Sequence, residues 1–204
     1  MLEIMLKIYS DSNSQSGQES FVLSILGEKS HGTYLEIGAY HATELSNTFL
    51  LESKYGWSGF SIEISKSRTK KFNSIRSNKC LNADALKFDF AQVMSEMCLP
   101  NNIDYLQVDI EPADNSLACL KRIPFDVYKF RVITFEHDLY SSRDNEKVKE
   151  ESFEILSSFG YSRVVSNVCN QGNPFEDWYV YPDLISDFDS TLKLNDIEWI
   201  DIFK

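Results

Sequence analysis

Short apolar runs of strand length alternate with stretches of helical period along most of this 204-residue chain. A run of four to eight apolar or β-branched residues between turn signals predicts a strand, and apolar residues three and four apart predict one face of a helix. The predicted strands are residues 34–37, 57–62, 79–86, 103–110, 130–135, 161–168 and 177–181. The predicted helices are residues 18–26, 44–55, 66–77, 89–97, 114–122 and 145–159. This alternation predicts an α/β fold around a mostly parallel sheet, with a late antiparallel strand.

The two ends of the chain carry weaker patterns. Residues 2–9 form a short apolar segment that fits either a strand or a helix, and residues 185–204 contain apolar side chains without a clear core position. We expect an N-terminal segment with a helix (residues 1–29) that packs on one domain (residues 30–184), followed by a tail (residues 185–204).

Composition limits the classes of function. A hydrophobic content of 43% indicates a folded domain, and a net charge of −11 argues against nucleic acid as the main partner. One local group of cations resembles a solvated helix face (Lys66, Arg68, Lys70, Lys71 and Arg76). Four scattered cysteines, with no signal peptide and no apolar run long enough to span a membrane, favour a cytoplasmic protein without a membrane span.

The end of the first predicted strand carries the main chemical signal. Glu36 is followed closely by Gly38, and an acid with a close-approach glycine at the carboxyl end of a strand is typical of nucleoside-binding α/β sheets. Dinucleotide sites use three glycines in G-x-G-x-x-G, but here Tyr40 and Thr43 occupy the later glycine positions. The pattern therefore favours S-adenosylmethionine, which has no phosphate, over a dinucleotide.

Acids also follow the other predicted parallel strands. Glu63 ends the second strand, where an acid can accept hydrogen bonds from both ribose hydroxyls of either cofactor class. Further acids lie at Asp84, Asp109 and Glu136, next to His137. Acids gathered at one edge of a sheet need a cation nearby, and a sulfonium, an ammonium group or a divalent metal would serve.

Methyl transfer from a sulfonium to a hydroxyl needs alignment and a base. His137 is the favoured candidate because a histidine can be neutral near pH 7, with Asp109 and Glu111 as further candidates. Alternatively, Asp109, Glu136 and His137 could hold a magnesium-like ion that acidifies the hydroxyl. His41, in the glycine turn, could face the substrate.

Four segments together resemble the FkbM-type methyltransferases over about residues 14–184. They are SQSGQESFVLSIL, YLEIGAYHATELSNTFLLESKYGWSGFSIEIS, IDYLQVDIEPADNSLACLKRI followed by VITFEH, and EDWYVYPDL. The resemblance implies a three-layer, Rossmann-like class I methyltransferase fold with seven mostly parallel strands, one of them antiparallel. It also implies an S-adenosylmethionine-dependent enzyme that methylates a hydroxyl of a sugar or small molecule.

The resemblance also implies residue roles. Glu36 and Gly38 would hold the methionine part, Glu63 the ribose, and Asp84 with Ala85 the adenine side. Ala39, Ser46, Asn47 and Asp109 complete the implied cofactor set, whereas Glu111, Glu136 and His137 would face the acceptor with Asp109.

Four departures from the family's pattern bear on activity. Tyr40, His41 and Ala42 replace Asn-Asp-Gly, and Pro112 replaces a glycine. These departures keep open a non-catalytic nucleoside- or glycan-binding protein of the same fold and, less favoured, a dinucleotide-dependent oxidoreductase. The acceptor, the need for a metal, and the oligomeric state are also open, with a homodimer compatible with the sequence.

Overall fold

One eight-stranded sheet forms the centre of the molecule in the computed structural model, which describes residues 6–186, 189 and 191–204. The strands are β1 (Thr33–Ile37), β2 (Ser58–Glu63), β3 (Lys79–Asn82), β4 (Asn102–Val108), β5 (Lys129–Glu136), β6 (Ser162–Asn170), β7 (Asn173–Val180) and β8 (Leu194–Glu198). The spatial order is β3-β2-β1-β4-β5-β7-β6-β8. Neighbouring strands are parallel except β7, which runs antiparallel to both β5 and β6. The predicted parallel sheet with a late antiparallel strand is therefore confirmed.

Helices cover both faces of the sheet and give three layers. They are α1 (Gln18–Ile25), α2 (Phe49–Ser53), α3 (Lys66–Asn73), α4 (Phe90–Glu96), α5 (Ala113–Leu120) and α6 (Asn145–Ser158). Side chains alternate along each strand, so Tyr34 packs in a core with residues of α1 and α2, while Leu35 packs in a second core with residues of α4, α5 and α6. This alternation decides which side chains can meet at the edge of the sheet.

The segment after β1 differs most from its prediction. The helix begins at Phe49, not at residue 44, and Thr48 precedes it as the N-cap residue. Tyr40 and Leu45 have φ values of 44° and 55°, in the left-handed region that interrupts a helix. The third strand is also shorter than predicted, because a 3₁₀ helix (Ala85–Lys87) follows it.

The C-terminal tail, whose sequence shows no clear core position, contributes to the fold. Its strand β8 adds an eighth strand beside β6, where seven strands were expected. A 3₁₀ helix (Trp199–Phe203) follows and buries Ile202 in the same core as α1. At the other end, residues 2–5 lie outside the described part of the chain, and Leu6–Tyr9 form no regular element.

No helix in the described part of the chain is long and apolar enough to cross a bilayer. All four cysteines are free thiols.

Candidate functional site

The strand register brings three of the predicted residues into one row at the carboxyl edge of the sheet. Ile37 of β1 lies beside Ile62 of β2 and Val108 of β4, so Gly38, Glu63 and Asp109 each lie one residue beyond this line. The Asp109 N–H donates to the Ile37 carbonyl at 3.0 Å, and the Gly38 N–H donates to the Ile62 carbonyl at 3.0 Å. The row is therefore fixed by backbone hydrogen bonds.

Gly38 is required by a close approach of two backbone segments. Its φ of 90° is in the left-handed region, and a Cβ at this position would collide with the Asp109 carbonyl oxygen. Ala39, which follows, also donates its N–H to the Ile62 carbonyl, at 3.1 Å. The close approach predicted for Gly38 exists, and it lies between β1 and β4.

Glu36 lies beneath this row, inside the protein. Its carboxylate accepts hydrogen bonds from Ser61 Oγ at 2.5 Å and from Thr48 Oγ1 at 3.0 Å. Burial raises the pKa of Glu36, and the Arg76 guanidinium opposes that rise. Arg76 is itself buried and forms an ion pair with Glu52 at 2.7 Å, so it does not belong to the solvated face that was predicted.

The buried arginine also supports the loop between β1 and α2. Arg76 Nη1 donates to the Ala42 carbonyl at 3.0 Å and to Ser46 Oγ at 3.3 Å. Ser46 thus contacts the underside of the loop. By contrast, Asn47 is buried and its Oδ1 has no hydrogen-bond partner within the protein. This oxygen can accept a hydrogen bond from a ligand.

Glu63 connects the loop after β1 to the start of α3. Its carboxylate accepts the Tyr40 N–H at 3.0 Å and the Ser65 N–H at 2.7 Å. A carboxylate offers about four lone-pair positions, so two remain for a ligand's hydroxyl groups. Asp84 accepts the Leu86 N–H at 3.0 Å, and Lys87, at 3.0 Å, lowers its pKa. Ala85 packs in the core shared by α4 and α5.

Asp109 and Glu136 form a pair of half-buried acids. Their carboxyl groups lie within hydrogen-bonding reach of each other, and both also interact with Asp138. Burial raises the pKa of Asp109 to about 6. Burial, followed by the charge of Asp109, raises the pKa of Glu136 well above its ordinary value. The two carboxyl groups therefore titrate together, and not as independent acids.

His137 lies apart from these two acids. Its side chain is fully buried, with Nε2 3.3 Å from Asp177 Oδ1 and with Nδ1 accepting the Leu139 N–H at 3.2 Å. Burial alone would raise the pKa of Asp177, but the hydrogen bond and charge of His137 lower it, with help from Arg163. Neighbouring side chains at the end of a strand point to opposite faces, which separates His137 from Glu136.

The structure therefore does not bring together the expected metal ligands Asp109, Glu136 and His137. Over residues 6–186, 189 and 191–204, no group of three or more His, Cys, Asp or Glu side chains is arranged to hold a metal ion. Glu111 is exposed beyond β4. His41 lies at the surface, with Nδ1 accepting the Glu44 N–H at 3.1 Å and Nε2 3.0 Å from Lys71 Nζ.

A cavity of about 230 Å³ opens beside Glu136. Its walls are mainly amides and aromatic rings from the N-terminal segment, the loop after β5 and the turn between β6 and β7, namely Gln15, Tyr140, Asn170, Gln171, Asn173 and Phe175. Sequence reasoning missed these residues, because they come from three distant segments. It also missed Glu176, which lies directly beside Glu136 in the β5–β7 register.

Comparisons with known proteins give similarity in structure without similarity in sequence. No protein-family model and no curated protein sequence matches the chain. The solved structures that resemble it include an rRNA methylase from Clostridium thermocellum, described as putative (TM-score 0.57, 10% identity, 84% of this chain and 97% of that chain). A second is the O-methyltransferase from Bacillus cereus in complex with S-adenosylhomocysteine (TM-score 0.59, 15% identity, 85% of this chain and 84% of that chain). A third is the N-methyltransferase NodS from Bradyrhizobium japonicum WM9, also in complex with S-adenosylhomocysteine (TM-score 0.53, 11% identity, 85% of this chain and 93% of that chain).

These neighbours are methyltransferases of different kinds: an rRNA methylase, an O-methyltransferase and an N-methyltransferase. With its mostly parallel sheet, its antiparallel strand β7 and helices on both faces, the chain has the Rossmann-like α/β fold of class I methyltransferases.

Proposed function

We propose that this protein is an S-adenosylmethionine-dependent O-methyltransferase of the FkbM type that methylates a hydroxyl of a sugar or small molecule. The observation that carries the proposal is the row of Gly38, Glu63 and Asp109 at the carboxyl edge of the sheet, with the carboxyl group of Glu136 beside that of Asp109. In an open α/β sheet, ligands bind beyond the carboxyl ends of the strands, which is where this row lies.

The residues at this edge fit the cofactor. The unpartnered Asn47 Oδ1 is a buried acceptor suited to the ammonium group of the methionine part, and Glu63 has acceptor positions left for the ribose hydroxyls. Gly38 and Ala39 form the turn against which the methionine part would lie, and Asp84 with Ala85 follows β3, where adenine would lie. Glu36 and Ser46 would act indirectly, by holding this loop in place.

The bound cofactor would supply an electrophilic methyl group on its sulfonium. Asp109, whose pKa of about 6 leaves it ionised near pH 7, would accept the proton of the acceptor hydroxyl, and the neighbouring Glu136 would hold Asp109 in position. His137, fully buried against Asp177, would act as a positioning residue for the loop after β5. Glu111, exposed next to Asp109, is a second candidate to contact the acceptor.

The acceptor would occupy the cavity beside Glu136. Its amide side chains can donate and accept hydrogen bonds, and Tyr140 and Phe175 offer aromatic surface, a combination that suits a hydroxyl-rich ring. The net charge of −11 argues against an RNA acceptor. A cytoplasmic location is part of the proposal, because the four thiols are free.

The test is methyl transfer by the purified protein from radiolabelled S-adenosylmethionine to a panel of monosaccharides and glycosides. Asp109→Asn should lower the rate by about 10²–10⁴-fold, the usual contribution of a general base. Glu150→Gln removes an exposed acid on α6 and should leave the rate unchanged.

Two outcomes would contradict the proposal. If titration calorimetry shows no binding of S-adenosylhomocysteine, the protein does not use this cofactor. If the cofactor binds but Asp109→Asn transfers methyl groups at the wild-type rate, Asp109 is not the base. Binding with no transfer to any acceptor would favour the non-catalytic binding protein.

A further inference from the structure

The acids around the cavity lack a cation of their own. Glu136 and Glu176 lie side by side in the β5–β7 register, Asp109 is within hydrogen-bonding reach of Glu136, and Asp138 contacts Glu136 from the following loop. In the described part of the chain, every ion pair involves other acids, so no Lys, Arg or His pairs with these four. Two other buried acids do have a cation beside them, since Asp104 pairs with Lys29 and Asp177 with Arg163.

Asp138 adds a second, independent observation. Its side chain is 95% buried, as its relative exposure is 5%, and its Oδ1 has no hydrogen-bond partner. The Asp138 carboxyl lies within hydrogen-bonding reach of both Glu136 and Tyr140, two residues that line the cavity. An unpartnered carboxylate oxygen in such a position is costly unless a ligand donates a hydrogen bond to it.

The cavity and its walls limit what that ligand can be. At about 230 Å³ it is smaller than the roughly 300–1,000 Å³ of sites for drug-sized ligands, so it suits a unit the size of one sugar ring. A bare metal ion needs several oxygen ligands at short range, and no group of three acids within residues 6–186, 189 and 191–204 has that arrangement. An ammonium group, with three N–H donors, can bind to more widely spaced carboxylates.

We propose that the acceptor carries a protonated amino group, as in an amino sugar, and that this group binds between the carboxyl groups of Glu136 and Asp138. The inference rests on the proposed function because it takes the bound molecule to be the methyl acceptor. The binding site itself does not depend on methyl transfer. It also gives Asp138, which no motif predicts, a role in selecting the substrate.

The test compares three sugars that differ at one position: glucosamine, glucose and N-acetylglucosamine. Binding is followed by saturation-transfer NMR on the wild-type protein, with and without S-adenosylhomocysteine. We expect glucosamine to bind at least about 10-fold more tightly than either neutral sugar, because hydrogen bonds between an ammonium group and carboxylates are stronger than those between neutral groups. Glu136→Gln and Asp138→Asn should abolish that preference, and Glu150→Gln should retain it.

Three outcomes would overturn the inference: equal binding of the three sugars by the wild-type protein, a preference that survives both substitutions, or saturable Mg²⁺ binding that needs Glu136 without any preference for glucosamine. The wild-type comparison remains decisive even if a variant fails to fold. A protein that prefers glucosamine but does not bind S-adenosylhomocysteine would contradict the proposed function alone. A protein that binds S-adenosylhomocysteine without preferring glucosamine would contradict this inference alone.

Discussion

Buried acids in this protein differ in what surrounds each carboxyl group. Glu36 lies close to Arg76, whereas the hydrogen bonds that Glu19 and Glu176 accept from the described residues all come from neutral donors. Burial raises the pKa of Glu19 to about 7 and that of Glu176 to about 8. These two acids hold α1 in place, since Glu19 accepts the Leu50 N–H at 2.6 Å and Glu176 accepts from Gln18 Nε2 at 2.9 Å.

The raised pKa of Glu176 predicts a protein that loses stability as pH rises. The folded state keeps a proton that the unfolded chain releases near pH 4.5, so the free energy of unfolding falls between about pH 4.5 and 8. The slope from one such group is at most about 1.4 kcal/mol per pH unit. Glu176→Gln, which can still accept from Gln18 and Trp178, should flatten urea-unfolding stabilities measured from pH 5 to 8. A slope equal to that of Glu150→Gln would contradict this.

The acid pair at the site predicts how the reaction rate depends on pH. Asp109 must be ionised to accept a proton, and its pKa is raised to about 6, so kcat/KM should rise with pH through about pH 6. Replacing Glu136 by Gln removes the carboxyl group that titrates together with Asp109, so the midpoint of this rise should move. A rise centred near pH 4, the ordinary value for an aspartate, would show that the pair is not the titrating group.

At the scale of elements, the C-terminal tail and the N-terminal helix depend on each other. Gly17 precedes α1 with a φ of 80°, and a Cβ there would lie 2.8 Å from the Phe203 ring and 3.0 Å from the Trp199 ring. Glu198, at the end of β8, accepts the Gln171 N–H at 3.1 Å in the turn that lines the cavity. The tail thus connects α1 to one wall of the cavity beside Glu136.

Two glycine substitutions can distinguish the loss of stability caused by crowding between Gly17 and the tail from the loss caused by backbone strain. Gly17 and Gly27 both have positive φ, but a Cβ at Gly27 would meet nothing within 4 Å. Both alanine variants should lose the roughly 1–2 kcal/mol that a left-handed conformation costs, and Gly17→Ala should lose about 1–3 kcal/mol more from overpacking. Thermal unfolding monitored by circular dichroism measures the difference. Equal losses would show that the tail does not pack tightly against α1.

At the scale of the whole molecule, ligand binding should couple to folding. At a concentration 100-fold above its Kd, S-adenosylhomocysteine should stabilise the protein by about 2.7 kcal/mol. For a domain of this size that corresponds to a rise in Tm of roughly 5–10 °C. Glu63→Gln should reduce the rise if Glu63 contacts the ribose. NADH at the same concentration should produce no rise, and a rise with NADH alone would favour the dinucleotide alternative.

The local pattern of hydrophobic and polar residues was enough to predict most of the strands and helices and part of the candidate site. Strand-length apolar runs placed seven strands, and a lone glycine after Glu36 marked the close approach at the edge of the sheet. The helix after β1 began later than predicted because Tyr40 and Leu45 take left-handed conformations that their own propensities do not signal. The tail strand was missed because β8 gains its stability from pairing with β6, a contact between segments far apart in sequence.

The sequence by itself determined the class of fold and the edge of the sheet at which we propose that a ligand binds, because hydrophobic period and turn residues act over a few neighbouring positions. Only the tertiary structure decided which acids share that edge. It put Glu36 over Arg76, His137 against Asp177 on the opposite face, and Glu176 beside Glu136. The face and partner of a side chain depend on strand register and on burial, and both are set by contacts between distant segments.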